Sequence, residues 1–392
     1  MSDIKTSPLA TAISPVIMLP HEGVADKSEP GIALCLSGGG YRAMLFHLGT
    51  LWRLNEAGWL PKLDRISSVS GGSITAGVLA LKWPALAFNS HGTAMTFQQE
   101  VVTPLRALAS RTIDATAILG GVFGPGSVGD KVIGAYRQWL FGHATLQDLP
   151  DLPRFVFNAT NVQSGALWRF MKPYMRDYRV GEVKNPRIEL AVVVAASSAF
   201  PPVLSPVTLE LDGKDFTPNS GLDLQFEPYT TQVVLSDGGV YDNLGLETAW
   251  KRYQTILVSD AGAKMAAEAE PKHDWARHSI RILDLIDNQV RSLRKRQVID
   301  SYKNGLRKGA YWGIRTDITQ YGLADHLLAY LAKPLEKTPP LAELPTRLAR
   351  VDRSVQERLI NWGYAVCDAA LRAHIDTAIP RPKDFPYPDS KP

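Results

Sequence analysis

Three short segments concentrate the residues able to do chemistry, each where an apolar run gives way to glycine. The first is Ser37-Gly38-Gly39-Gly40-Tyr41-Arg42. Consecutive glycines let the backbone turn sharply and aim bare N–H groups at an incoming oxygen, beside the positive end of a following helix. The segment is a candidate anion or oxyanion cradle, with Gly38, Gly39 and Gly40 as donors. The second is Ser68-Val69-Ser70-Gly71-Gly72, with small residues two before and two after Ser70. That pattern suits a strained strand-to-helix turn that exposes a nucleophilic hydroxyl. Ser68 and Ser73 fit it less well, because Ile66 and Thr75 would fill the small positions. The third segment, Ser236-Asp237-Gly238-Gly239-Val240-Tyr241-Asp242-Asn243, follows the apolar run Gln232–Leu235. It puts Asp237 at the carboxyl end of a strand, where α/β sheets carry catalytic groups.

Each segment also has a plainer reading. Gly38-x-Gly40-x-x-Ala43 satisfies a dinucleotide-binding fingerprint letter by letter. That reading wants an acidic residue at the end of the next strand, and the chain has Ser67-Ser68-Val69-Ser70 there, with Asp64 at the strand's start. A Ser/Gly-rich turn is often structural, and Asp-Gly is a common loop element. A serine nucleophile needs a base, and only aspartates have a convincing context for it. His47 lies in a helix, while His273, His278, His326 and His374 fall in polar or helical stretches without a loop motif. A triad in the order Ser, Asp, His through His273 or His278 stays open as the alternative to a Ser70–Asp237 pair.

The elements that must carry these residues alternate short apolar runs with longer periodic ones, as in an α/β domain with a largely parallel sheet. Strands are expected at Ile32–Leu36, Arg65–Val69, Arg154–Ala159, Ala166–Phe170, Glu189–Ala195, Gln232–Leu235 and Thr255–Ser259, with a hairpin through Asp212-Gly213. Helices are expected across Met44–Leu54, stopped by Gly58, and across Ile74–Trp83. The uncharged, Gly-rich stretch Ala115–Gly129 reads as a loop, with a lip over the site as the alternative. Beyond Lys264 the chain reads as mostly helical, with a capping box at Ser354-x-x-Glu357. The expected organisation is an N-terminal segment 1–30, a catalytic domain 31–264 and a helical region 265–392 packed on it.

With 392 residues, 45% hydrophobic and 21% charged, the chain can bury a large core and is not disordered. A net charge of +4 gives no general support to a nucleic-acid partner. Two distant cysteines, Cys35 and Cys367, exclude a disulfide framework and a Cys/His metal cluster, and fit a reducing, cytoplasmic setting. No signal peptide is expected from the proline-interrupted start. The uncharged run Leu190–Leu209 is broken by Pro201-Pro202, so it reads as a buried strand and loop and not as a membrane span.

The four motifs Ser-Gly-Gly-Gly-Tyr-Arg (37–42), Val-Ser-Gly-Gly-Ser (69–73), Ala-Ala-Ser-Ser-Ala-Phe-Pro-Pro (195–202) and Asp-Gly-Gly (237–239) together resemble the patatin-like phospholipases, with features of their cytosolic and fungal phospholipase relatives. The resemblance spans roughly residues 31–260. It implies an α/β/α sandwich, a Ser-Asp dyad without histidine, and hydrolysis of acyl esters of membrane lipids by a phospholipase A or lysophospholipase type of enzyme without metal or organic cofactor. Ser70 would be the nucleophile, Asp237 the base, and Gly38, Gly39 and Gly40 the oxyanion loop. Ser68 stands where the elbow usually has glycine. A lipid acyltransferase or a non-catalytic lipid-binding protein of the same fold are the alternatives.

Two charged features complete the expectation. A cation in the first turn of a helix opposes its dipole, so Arg42 should have an anionic partner. The resemblance implies a lipid phosphate; a neighbouring carboxylate would also serve. Between Arg277 and Lys308 nine basic residues face three acidic ones. Ile280, Leu283, Ile286, Val290 and Leu293 would form an apolar stripe packed on the core, leaving Arg291, Arg294, Lys295 and Arg296 to meet an anionic membrane or a protein partner. The enzyme would then touch membranes peripherally.

Overall fold

The computed structural model describes residues 28–114, 127–329 and 338–392. The segment 1–30, apart from its last three residues, and residues 115–126 of the Gly-rich stretch lie outside them. The sheet is built on β1 (Glu29–Leu36), whose last four residues are buried on both faces and read as a continuous apolar run because parallel strands flank it on both sides. Those neighbours are β2 (Arg65–Ser68) and β9 (Tyr253–Asp260). The parallel part extends outward through β3 (Arg154–Asn161) beside β2 and β10 (Lys308–Gly313) beside β9. Beyond β3 the sheet turns antiparallel through β4 (Ala166–Phe170), β5 (Tyr174–Asp177) and β6 (Gly181–Lys184). A second antiparallel pair, β7 (Val207–Glu210) and β8 (Gln232–Asp237), also joins β3.

Alternation along the central strands divides the core. Leu34 and Leu36 of β1 point into the larger cluster, and Ala33 and Cys35 into the smaller one. The larger cluster is covered by α1 (Gly40–Glu56), α2 (Gly71–Lys82), α3 (Thr103–Ala109), α4 (Val128–Tyr136), α5 (Leu190–Ser197) and α7 (Arg353–His374); the smaller by Leu244, Leu246, Ala249 and Val298 of α6 (Trp275–Lys303). This is an α/β/α arrangement of unequal layers with a parallel centre and a mostly helical C-terminal region. Helices α1 and α7 cross at two glycines. A Cβ on Gly49 would overlap the Ile360 carbonyl, and one on Gly363 the Phe46 carbonyl. Beside that crossing Arg53 and Asp368 form a fully buried ion pair at 2.9 Å, which Arg372 shares.

Several expectations need correction. Glu189–Ala195 is not a strand; Leu190–Ser197 forms α5, with Glu189 as its extended N-cap. Six of its eight residues besides Ser197 are buried, so no polar face marks a 3.6-residue period, and a short apolar run cannot be typed by periodicity. Asp212-Gly213 is no tight hairpin turn. β7 and β8 do pair, from Glu210 opposite Gln232, but residues 211–231 connect them, and Asp212 caps a short 3₁₀ turn. The capping box fails because α7 begins at Arg353 behind Asp352, which puts Ser354 inside the first turn. Glu357 instead binds Arg106 at 2.7 Å and Arg353 at 2.9 Å. β10 lies in the region that reads as helical; with Gly309 and Gly313 within it, it adds a parallel edge strand to the sheet.

Candidate active site

The sheet register brings the second and third motifs together. β2 runs along one edge of β3 and ends with Ser68 opposite Phe157. β8 runs along the same edge in the opposite direction and ends with Asp237 opposite Ala159. The two strands therefore meet head to head with only Asn158 between their last pairs, so the turn after β2 and the carboxylate ending β8 converge. Asn158 pins the junction. Its Nδ2 donates to the Ser68 carbonyl at 2.9 Å and to Ser67 Oγ at 3.0 Å. Gly238 passes so close that a Cβ there would overlap the Asn158 carbonyl.

Ser70 occupies the turn as N-cap of α2 with φ 52° and ψ −120°, a conformation costly for any residue with a Cβ. Its backbone is held by the end of α5. The Ser70 N–H donates to the Ser197 carbonyl at 3.1 Å and to Ser197 Oγ at 3.1 Å. The same Ser197 carbonyl accepts from Gly238 N at 3.2 Å, and the Ala199 carbonyl accepts from Asp237 N at 2.9 Å. One helix end thus fixes the serine turn and the aspartate strand relative to each other. A hydroxyl ladder backs it: Ser73 Oγ lies 3.0 Å from Ser68 Oγ and 2.8 Å from Ser197 Oγ, which donates to the Asn158 carbonyl at 2.7 Å. Ser68, in the place of the usual glycine, is accommodated because its hydroxyl joins this ladder and donates to the Val156 carbonyl.

Asp237 is buried. Its Oδ1 accepts from Gly239 N at 2.7 Å, and its Oδ2 has no hydrogen-bond partner among the described residues. Burial pushes its pKa up to about 7, against the lowering pull of the Gly239 N–H and the Ser70 hydroxyl. A carboxylate that half-ionises near neutrality, with one oxygen uncommitted beside a serine, suits a general base. Among the described residues no histidine is hydrogen-bonded to Ser70 or Asp237. His273 and His278 are exposed around the start of α6. His47 is buried, with Nε2 2.9 Å from the Ser37 carbonyl and Nδ1 2.9 Å from Ser259 Oγ. A carbonyl only accepts, so Nε2 carries the proton, and burial pushes the imidazole down to about 4. His47 is a neutral prop beneath the glycine loop.

The glycine loop lies against the serine turn. A Cβ on Gly38 would be 3.2 Å from Ser70 Cβ, and one on Gly71 would overlap the Gly40 carbonyl. Its three N–H groups are not equivalent. Gly38 N donates to the Asn243 carbonyl at 3.0 Å and to Asn243 Oδ1 at 3.1 Å, so its donor is already engaged. Gly39 (φ 140°) and Gly40 (φ 58°) have N–H groups without partners among the described residues, at the positive end of the 17-residue α1. Of the expected trio, Gly39 and Gly40 keep free N–H groups among the described residues, while the Gly38 N–H is bound by Asn243.

Arg42 is not placed to meet a head group. It is 2% exposed, and its guanidinium donates to the Ala261 carbonyl at 3.0 Å, to the Leu344 carbonyl and to Thr346 Oγ1 at 3.1 Å. Desolvation pushes its pKa down to about 10. The negative partner that the helix dipole demanded is supplied by carbonyl oxygens. Arg42 so clamps residues 344–346 over the loop, where Tyr41 N donates to the Arg347 carbonyl at 3.0 Å. Asn158, Ser197, Asn243 and this C-terminal clamp are the contributors that sequence reasoning missed. Ser197 and Asn243 do lie within the quoted motifs, which was the available signal.

No curated protein sequence matches the chain. Among solved structures it is similar to human GIVD cytosolic phospholipase A2, with 14% identity over 60% of this chain and 46% of that one, at a TM-score of 0.41. The same enzyme in complex with methyl gamma-linolenyl fluorophosphonate gives 14% identity, 88% and 59% coverage, and a TM-score of 0.46. VipD from Legionella pneumophila gives 15% identity, 89% and 68% coverage, and a TM-score of 0.37. The chain thus spans about half the length of the first of these structures. The family model of the patatin-like phospholipases matches residues 34–250, more than half of the chain and all three chemical motifs, and the chain belongs to that family.

Proposed function

We propose that the chain is a serine lipid acyl hydrolase of the phospholipase A or lysophospholipase type, working through Ser70 and Asp237. The observation that carries this reading is the head-to-head meeting of β2 and β8, which sets a strained serine beside a buried aspartate whose pKa is raised to about 7. In the first half-reaction Ser70 Oγ attacks the ester carbonyl carbon while its proton passes to Asp237. The negative charge developing on the carbonyl oxygen is met by the Gly39 and Gly40 N–H groups and the end of α1. Collapse breaks the acyl C–O bond, and the departing alkoxide takes the proton from Asp237, leaving an acyl-Ser70 ester. In the second half-reaction Asp237 takes a proton from water, the hydroxide attacks the acyl carbon, and Ser70 leaves as alkoxide and recovers its proton as the fatty acid is released. No other group need change protonation.

A fluorophosphonate probe tests the reading. The wild-type protein should be labelled covalently and irreversibly, the Ser70→Ala variant should not, and Asp237→Asn should label far more slowly. Labelling that persists in Ser70→Ala, or full esterase turnover in either variant, would overturn it.

A further inference from the structure

The amphipathicity of α6 runs opposite to the usual sense. Trp275, Ile282, Ile286 and Leu293 follow one another at steps of seven, four and seven residues, which on an α-helix puts them within about 40° of one line. This stripe faces solvent, at 83%, 40%, 54% and 57% exposure, with Leu283 exposed beside it. The opposite side of the helix holds the polar groups and meets the body. Arg291 donates to the Ala263 carbonyl, Arg294 pairs with Glu247 at 2.9 Å, and Lys295 lies over the Tyr311 ring. Val298 is buried on that side, and the Tyr302 hydroxyl donates to the Ile256 carbonyl. The expected arrangement is therefore largely reversed: Arg291, Arg294 and Lys295, meant for an outside partner, contact the body while Arg296 stays exposed, and Ile280, Leu283, Ile286 and Leu293 of the stripe meant for the core are exposed, with Val290 half-buried. Large apolar side chains exposed in a line, rather than scattered singly, mark an interaction face.

We infer that this outward stripe is a docking face for an anionic lipid surface. Three observations favour lipid over other occupants. First, Arg296 and Lys303 are exposed on the C-terminal half of α6, against one exposed carboxylate there, Asp300. An anionic bilayer would attract that excess. Second, α6 packs against Gly239–Asp242, the turn that directly follows Asp237, and Val240 in that turn is exposed. Exposed Phe200 and Val203 follow the Ser197–Ala199 segment that braces Ser70 and Asp237. Third, a tryptophan at the end of an apolar stripe with basic flanks is the composition of a helix lying in a membrane interface. The docking face gives the proposed hydrolase its substrate class, lipids within a charged surface, and in that respect rests on that reading.

The test uses the full chain carrying Ser70→Ala, so that binding is read without turnover, and compares it with the same chain carrying Trp275→Ser, Ile282→Ser, Ile286→Ser and Leu293→Ser. All four positions face solvent, and circular dichroism checks folding. Co-sedimentation with phosphatidylcholine vesicles containing phosphatidylglycerol should fall roughly ten-fold or more in the substituted chain. In the Ser70 background, the same four substitutions should leave hydrolysis of a dissolved short-chain ester unchanged. Unchanged co-sedimentation, or a parent that binds neither charged nor neutral vesicles, overturns the docking face. A dimer that becomes monomeric on substitution overturns it in favour of a second copy. If no ester is hydrolysed by the unsubstituted enzyme yet vesicle binding is lost with the stripe, the hydrolase reading fails and the docking face stands.

Discussion

Replacing Asp237 by Asn separates the chemistry of this residue from its cost to the fold. The asparagine is nearly the same shape, keeps an acceptor for the Gly239 N–H, and cannot take a proton from Ser70. Esterase turnover should fall by the ~10²–10⁴ of a lost general base. Stability should move the other way. Burial raises the carboxyl from 3.8 to about 7, so between those values the folded chain holds a proton that the unfolded chain releases. Wild-type stability is then fully present below the unfolded pKa and lost as pH rises through the folded one. At about 1.4 kcal/mol per pKa unit, the variant should exceed the wild type by about 4 kcal/mol at pH 8, by about 2 at pH 5, and by under about 1 at pH 4. Urea-unfolding midpoints of the two proteins at those pH values measure the difference. In the wild type, kcat/KM should climb with pH up to about 7 and then level. A stability gain that is absent, or flat with pH, would refute the claim that an uncompensated carboxylate sits in this site.

Two further substitutions test how the site is held. Arg42→Ala should lower hydrolysis of a phospholipid and of an uncharged p-nitrophenyl ester to the same extent, with about 3 kcal/mol of stability lost through the abandoned carbonyls; selective loss on the phospholipid would restore the head-group role. Gly363→Ala should force α1 and α7 apart, because the added Cβ overlaps the Phe46 carbonyl, and should cost about 3 kcal/mol while depressing turnover through the displaced start of α1; a variant with wild-type thermal stability would show that the crossing is looser than described.

The parts of the site that could be read from the sequence are those that local backbone chemistry dictates. Ser70 stands out because a positive φ before a helix demands small neighbours, and Asp237 because glycines follow it where the chain must pass Asn158. What could not be read depends on partners far along the chain. The Gly38–Asn243 bond spans 205 residues, and the Arg42–Leu344 contact spans 302. For Arg42 the electrostatic demand was legible, but a dipole is answered equally by phosphate, carboxylate or carbonyl oxygen, and only the fold selects among them. For α6 the period pointed to a stripe of Ile280, Leu283, Ile286, Val290 and Leu293, whereas the exposed line runs through Trp275, Ile282, Ile286 and Leu293. A period does not say which side of a helix meets the body, and buried Val298 with the half-buried Tyr302 won that side with the help of Arg291, Arg294 and Lys295. For α5 burial of every residue but Val192 erased the period itself.

The C-terminal third bears on the chemistry for a reason that the motifs alone do not contain. The proposed oxyanion donors, the Gly39 and Gly40 N–H groups, sit at the start of α1, and a helix start is only as rigid as what holds its first turn. Here the Tyr41 N–H is bound by the Arg347 carbonyl, Arg42 is bound by residues 344–346, and a Cβ on Gly40 would lie 2.5 Å from the Arg347 carbonyl. Further along, α1 is pressed against α7 at Gly49 and Gly363 and tied to it by the Arg53–Asp368 pair. Arg347 in turn pairs with Asp114 at 2.9 Å, and the Leu348 carbonyl accepts from Ile113 N. The family motifs between residues 34 and 250 hold the proposed reacting groups, and the segment from 344 to 374 fixes the helix whose first amides would, in the proposed reaction, have to meet the developing charge within a few tenths of an ångström.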